Sequence, residues 1–368
     1  MDLIAALRIL AAIGGVAAII WTLRSALRFF VLPRGVYDPT ARFVFYFVRG
    51  IFDLRSKHID SYEERDAIMA LLGPLGLAGL LVVWLVIVLT GYMLVYWSLD
   101  VGTLADALRL SGSSLFTLGF ASVSPIGEDV IVFTQAGVGL LLAALIVAYL
   151  PVIYSTWARR EKQVATLEVR AGSPPAAWTL ILRYHRIRAL RESDELWPAW
   201  EDWFTDIEES HTSLSAVAFF RSPQPDRSWV NAAGVILDSA ALFSAAIDVP
   251  RNPRRELCLR AGYISLRRIA DLYRIPYDPD PSPDDPISVS RQEFNDVWRQ
   301  LEDVGVPMQP DQDAAWQAFA GWRVNYDTVL LRLATLTMAP YAPWISDRSI
   351  TWEHPVVRVW RRWWRKLT

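Results

Sequence analysis

Two short stretches carry the side chains best placed to do chemistry. Asp278-Pro-Asp-Pro-Ser-Pro-Asp-Asp285 offers oxygens at 278, 280, 282 and 284, the alternation with which a calcium loop begins. The turn glycine of such a loop is missing and Val289 stands where its bidentate glutamate belongs, so the stretch reads as a solvated, proline-stiffened linker. The other stretch is Thr117-Leu-Gly-Phe-Ala-Ser-Val-Ser-Pro125, which contains no acid, base or thiol. Elsewhere, Cys258 is the only cysteine, which excludes an intramolecular disulfide and a thiolate metal cluster. His58, His185, His211 and His354 are scattered without ligand spacing, so no metal site is expected. No nucleophile–base motif, metal triad or phosphate loop occurs, and the chain does not read as an enzyme.

The elements around the second stretch give it its meaning. From Ala67 to Leu99 run 33 residues without a formal charge, and from Val130 to Ala158 run 29 more. About 20 apolar residues of helix cross a bilayer core of about 30 Å, so both runs read as transmembrane. The spans are expected at 73–97 and 131–157. A third, weaker span is expected within residues 1–33, where the uncharged run Ile9–Leu23 is 15 residues long. Arg8 on one side of that run, and Arg24 and Arg28 on the other, would snorkel to opposite headgroup layers.

Charge sets the orientation. Residues 98–132 carry Arg109 alone against Asp100, Asp106, Glu128 and Asp129, whereas Arg24 to Arg65 holds eight Lys and Arg residues and Trp157-Ala-Arg-Arg-Glu-Lys162 follows the last span. The positive-inside rule places 98–132 outside and both basic flanks in the cytoplasm, as in a multi-pass protein of the plasma membrane. Within the connector 34–70, the aromatic and basic run 41–56 suits an interfacial helix on the inner leaflet or a connector packed on the soluble part.

The linker between the two strong spans is no ordinary loop. Thr103-Leu-Ala-Asp106 matches a capping box with Asp in place of Glu, so a short helix is expected over 104–115. Entering from outside, its C-terminal dipole end would point into the membrane and favour a cation. The returning chain is then non-helical at membrane depth, which is tolerated only where it is buried in protein or lines a water-filled passage.

Here Thr117, Leu118, Gly119 and Phe120, with Pro125 a few residues on, resemble the filter of the pore-loop potassium channel superfamily, Thr-Val-Gly-Tyr-Gly-Asp followed by a proline. The resemblance covers about residues 72–160, a pore domain at 71–158. It implies that filter carbonyls and the threonine hydroxyl at 117–121 replace the water shell of a permeant potassium ion. One loop supplies one wall of a filter that needs four, so a homotetramer is implied. The chain departs from the pattern at Ala121, where a second glycine is usual, at Ser122, where an acid is usual, and at Phe116, where a second threonine is common. In the last span, Gly137 and Gly139 are hinge candidates, with close helix packing as the competing role. Pro151 removes a helix hydrogen bond near the expected gate.

Residues 159–368 read as a cytoplasmic, mostly helical domain, so the whole chain is expected to be all-α. Helical spacing shows at Trp178-Leu180-Ile181-Tyr184, at Trp229 to Leu237, at Leu266 to Tyr273 and at Val329-Leu330-Leu333. Trp197, Trp200 and Trp203 share a face and are expected in the core. Proline-rich joints fall at 222–225, 276–286 and 306–310. No Gly-x-Gly-x-x-Gly follows a strand and no arginine ladder occurs, so neither a dinucleotide-binding regulator nor a voltage sensor is expected. The basic, aromatic run 359–366 could touch anionic lipid or pack within the assembly. A net charge of −2 gives no hint of nucleic-acid binding. Two readings remain from different classes: a cation channel, and a membrane-anchored sensor or interaction protein whose loop no longer conducts, which Ala121 and Ser122 favour.

Overall fold

The computed structural model describes residues 3–30, 38–56, 59, 61–121 and 126–348. Ser122, Pro125, His58, His354 and the basic run 359–366 lie outside them. Among the described residues the chain is helical throughout, with one isolated antiparallel bridge between Ile247 and Met308. It divides into two compact units, Met1–Asp53 with Leu72–Ser155, and Leu54–Leu71 with Thr156–Thr368.

The first unit contains α1 (Leu3–Phe30), α2 (Pro39–Ser56) up to Asp53, α4 (Leu72–Ser98), α5 (Leu104–Leu115) and the first part of α6 (Ile126–Ala171); α3 (Tyr62–Met69) belongs to the second unit. Three helical stretches are long and apolar enough to cross a membrane: Leu3–Phe30, Tyr62–Ser98 and Asp129–Ala171. The last is longer than its apolar run because residues 159–171 are charged but favour helix, and nothing stops the helix where hydropathy ends.

α1 lies antiparallel to α4. The Arg8 guanidinium pairs with Asp100 Oδ1 at 2.5 Å, and Trp84 Nε1 donates to Ser25 Oγ at 2.9 Å, so contacts run in opposite directions along the two helices. Between them the backbones nearly touch: a Cβ on Gly15 would meet the Gly91 carbonyl at 2.4 Å, and one on Gly91 would meet the Gly15 carbonyl at 2.9 Å. Close backbone approach through small residues is how membrane helices gain packing where water supplies no driving force. α2 packs Phe45 against Gly76 and Val44 against Gly79 of α4, and leaves a second apolar stripe, Phe43, Phe47, Ile51 and Leu54, exposed.

The second unit adds α7 (Ala177–Arg186), α8 (Leu196–Ser213), α9 (Trp229–Ala245), α10 (Pro253–Leu272), α11 (Arg291–Asp303), α12 (Gln312–Arg323) and α13 (Asp327–Thr337). α9 is apolar on nearly every side and almost wholly buried, and α7, α10, α12 and α13 pack around it. At 17 residues it is a core helix rather than a span. Trp197, Trp200 and Trp203 of α8 are buried as expected. Helix starts are chemically marked: Ser228, Asn252 and Asp311 accept from first-turn N–H groups, and Ser290 with Glu293 forms a capping box.

Two buried arginines organise polar contacts inside this unit. Arg323, 0% exposed, donates to Asp327 Oδ1 at 2.8 Å and also bonds Asp238 Oδ1 and the Trp344 carbonyl. Tyr326 OH donates to the same Asp238 oxygen at 2.8 Å. Arg160 pairs with Glu161 and donates to the Val217 and Phe220 carbonyls at 2.9 and 2.5 Å. His211 sits beside it, with Nδ1 at 2.8 Å from the Ile207 carbonyl and Nε2 at 3.3 Å from Arg160. Burial and the adjacent guanidinium hold His211 well below the usual histidine range, so the ring is neutral, donating from Nδ1 and accepting at Nε2.

Candidate functional site

α5 begins as its sequence dictates. Thr103 Oγ1 accepts from Asp106 N–H at 3.3 Å while Asp106 Oδ2 accepts from Thr103 N–H at 3.0 Å, a complete capping box. Its inward face, including Ala107, Leu110, Ser111, Ser114 and Leu115, is buried. A polar lock holds that face: Gln135 of α6, 0% exposed, donates through Nε2 to the Ser111 carbonyl at 2.9 Å and to Ser111 Oγ at 2.7 Å. Its Oε1 accepts from Tyr96 OH of α4 at 3.0 Å, and Ser111 Oγ donates to the Leu89 carbonyl at 2.8 Å. One glutamine therefore ties α4, α5 and α6 together, with every one of its bonds inside the unit. Nothing in the sequence singled it out beyond being the one amide in an apolar run.

The chain after α5 doubles back on the helix end. Phe116, Thr117 and Leu118 N–H groups donate to the carbonyls of Gly112, Ser114 and Ser113 at 3.1, 3.1 and 2.8 Å. Ala121 N–H then donates to Ser113 Oγ at 3.1 Å. The five candidate residues Thr117, Leu118, Gly119, Phe120 and Ala121 thus form one short loop anchored to the last turn of α5. Its other side is open: Phe116, Leu118 and Phe120 are 51%, 62% and 66% exposed.

Two residues of this loop take left-handed backbone. Gly119 adopts φ +71°, which glycine permits. Thr117 adopts φ +54°, an outlier for a β-branched residue that costs on the order of 1–3 kcal/mol. Its hydroxyl donates to the Phe116 carbonyl at 2.8 Å, which leaves the lone pairs of the threonine Oγ1 uncommitted. Ala121 stands where the family has glycine, and an alanine at positive φ would be strained; it is not among the described residues with positive φ, so here the alanine is unstrained.

The three hinge candidates differ in their surroundings. A Cβ on Gly139 would meet the Leu115 carbonyl at 2.4 Å, so this glycine lets the end of α5 seat directly on α6. Gly137 has open space around it. It lies on an exposed face of α6 with Phe133, Leu140, Ala144 and Val147. Pro151 sits inside α6, which continues through it although the bond to the Val147 carbonyl is lost.

Two of the four carboxylates of the proline-stiffened stretch turn into their own loop. Asp278 Oδ1 accepts from Asp280 N–H at 3.0 Å and Asp285 Oδ2 from Ser282 N–H at 2.9 Å. No group of three or more metal-ligating side chains is found among the described residues. Compared with known proteins, the chain matches no family model, no curated sequence and no solved structure.

Proposed function

We propose that this chain is one subunit of a homotetrameric cation channel, conducting potassium passively, whose helical C-terminal domain regulates opening from the cytoplasm. The observation that carries the reading is the loop 117–121. It is hydrogen-bonded to a short capped helix on one side, more than half exposed at Phe116, Leu118 and Phe120 on the other, and strained at a threonine. A single chain leaves that strain without purpose, whereas four such loops around an axis would bury the exposed side and present oxygens to an ion. α5 would point its negative dipole end at the same place. The open apolar face of α6 suits the lining of an inner cavity or a contact with neighbouring copies.

Regulation by the C-terminal domain is supported by α3, which feeds through Ala70 and Leu71 into α4. Arg221 donates to the Thr337 and Met338 carbonyls at 2.9 Å each and pairs with Asp66 of α3. A shift of that carbonyl pair would pull on the helix that leads into a span.

Potassium flux from liposomes holding the purified protein tests the proposal, together with its mass in detergent. A tetramer whose flux is abolished by Gly119→Asp supports it, and a gain in potassium selectivity from Ala121→Gly would locate the departure from the family pattern. The second reading, a non-conducting sensor, is favoured by Ala121, whose N–H is tied to Ser113 and whose backbone avoids the left-handed region. A silent protein that is not a tetramer would leave that reading standing.

A further inference from the structure

A cavity of about 450 Å³ opens beside the basic end of α1. Its lining is graded along the helix. Ala17, Ile20 and Trp21 form the apolar end, and Arg24 and Arg28 follow at one-turn spacing. From Ala17 to Arg28 the axis rises by about 16 Å, the depth of a lipid headgroup with the first part of its acyl chains. Trp21 is fixed as a wall because its Nε1 donates to Thr40 Oγ1 at 3.1 Å. Amphipathic indole at this depth, between hydrocarbon and charge, is the usual signature of a headgroup boundary.

The charges are arranged for an anion. Neither Arg24 nor Arg28 forms an ion pair within 4 Å among the described residues. The acid that also lines the cavity, Asp38, is buried, and its Oδ2 accepts from Ser25 Oγ at 2.9 Å and Ala41 N–H at 2.7 Å. Two guanidinium groups against one carboxylate leave a single positive charge. A phosphodiester carries a single negative one, and the guanidinium fork matches its paired oxygens. Asp38 also takes a bond from Thr40 N–H, and the one lone-pair site its carboxylate has left would accept from a hydroxyl of the headgroup.

We propose that this cavity binds an anionic glycerophospholipid, with its phosphodiester between Arg24 and Arg28, its acyl chain along Ala17, Ile20 and Trp21, and a headgroup hydroxyl at Asp38. The site lies outside the stretch that resembles channels and does not depend on whether the loop conducts. Phosphatidylglycerol has the required net charge and hydroxyl donors; phosphatidylcholine offsets its phosphodiester with a quaternary ammonium and has no donor. A soluble phosphate shares the anionic chemistry but leaves the apolar half of the cavity unfilled.

Native mass spectrometry of the full chain in non-ionic detergent tests this with phosphatidylglycerol, phosphatidylcholine of the same chains, and glycerol 3-phosphate. The wild type should retain phosphatidylglycerol in preference to the other two. Arg24→Gln and Arg28→Gln should each weaken retention about fivefold, the effect of one basic residue at an anionic surface. R24K/R28K should recover part of it, since charge returns without the fork. Arg24 is exposed, so its single variant remains readable if the double glutamine variant does not fold. Undiminished retention by R24Q and R28Q would overturn the proposal. So would glycerol 3-phosphate binding as tightly as the lipid, or a preference that vanishes only on neutralising Arg361, Arg362 and Arg365.

Discussion

Gly137 and Gly139 stand two residues apart on one helix, and the structure requires alanine at the two positions to act in opposite directions. At 137 there is open space, so Gly137→Ala should raise the stability of α6 by about 1 kcal/mol through helix propensity alone. At 139 the same gain meets a backbone oxygen. A carbon approaches a carbonyl oxygen to about 3.3 Å, and the new Cβ would start at 2.4 Å, so the end of α5 must retreat by about 0.9 Å. Leu115 and its carbonyl cannot swing away as a side-chain tip would, and such overpacking costs about 1–3 kcal/mol. The net change for Gly139→Ala is then a loss of up to about 2 kcal/mol, from the difference of those two ranges. The displacement passes straight into Phe116 and Thr117, so the potassium flux proposed for this chain, or its selectivity, should fall as well. Thermal unfolding in detergent and liposome flux measure both. Gly139→Ala as stable as Gly137→Ala would refute the packing argument. A Gly137→Ala protein that is more stable yet opens less would make 137 the hinge.

Three other outcomes follow from the packing. Gln135→Leu removes three hydrogen bonds, worth about 0.6 kcal/mol each between membrane helices, so it should cost about 2 kcal/mol by detergent melting; a neutral effect would mean the lock is not formed. Because native His211 is held neutral, the unfolded chain takes up a proton below about pH 6.5 that the folded chain refuses. Stability should therefore fall as pH drops from 7.5 to 5.5, by on the order of 1 kcal/mol, and His211→Asn should flatten that part of the profile. Arg323→Leu should cost about 3–5 kcal/mol by leaving Asp238 and Asp327 buried without their cation, and the double change with Asp238→Leu should recover much of it; a cost under about 1 kcal/mol would refute the account.

Much of the first unit was legible because bilayer physics is blunt. The helix expected over 104–115 is α5 residue for residue, since Thr103 and Asp106 mark its start and the strained turn at Thr117 ends it. The spans at 73–97 and 131–157 fall inside α4 and α6, but hydropathy said nothing of the charged helical continuation of α6. The seating of the first helix on α4 rests on contacts no local pattern encodes, Arg8 with Asp100 and Gly15 with Gly91. In the second unit, α11 was passed over although Ser290-x-x-Glu293 announces it and Phe294, Val297, Trp298 and Leu301 form its buried stripe. Left-handed Thr117 was not legible at all, because threonine is among the residues least suited to that conformation.

The antiparallel seating of α1 on α4 also imposes a schedule on synthesis. Trp84 is made 59 residues after Ser25 and Asp100 is made 92 residues after Arg8. At about 5–20 residues per second, the first helix waits between about 3 and 18 s for its partners. During that interval Arg8 has no counter-ion on α4 and Gly15 has no helix against it. A membrane-spanning α1 would therefore enter the bilayer on its own apolar run and snorkelling arginines, and chains arrested before α4 should already hold it in place.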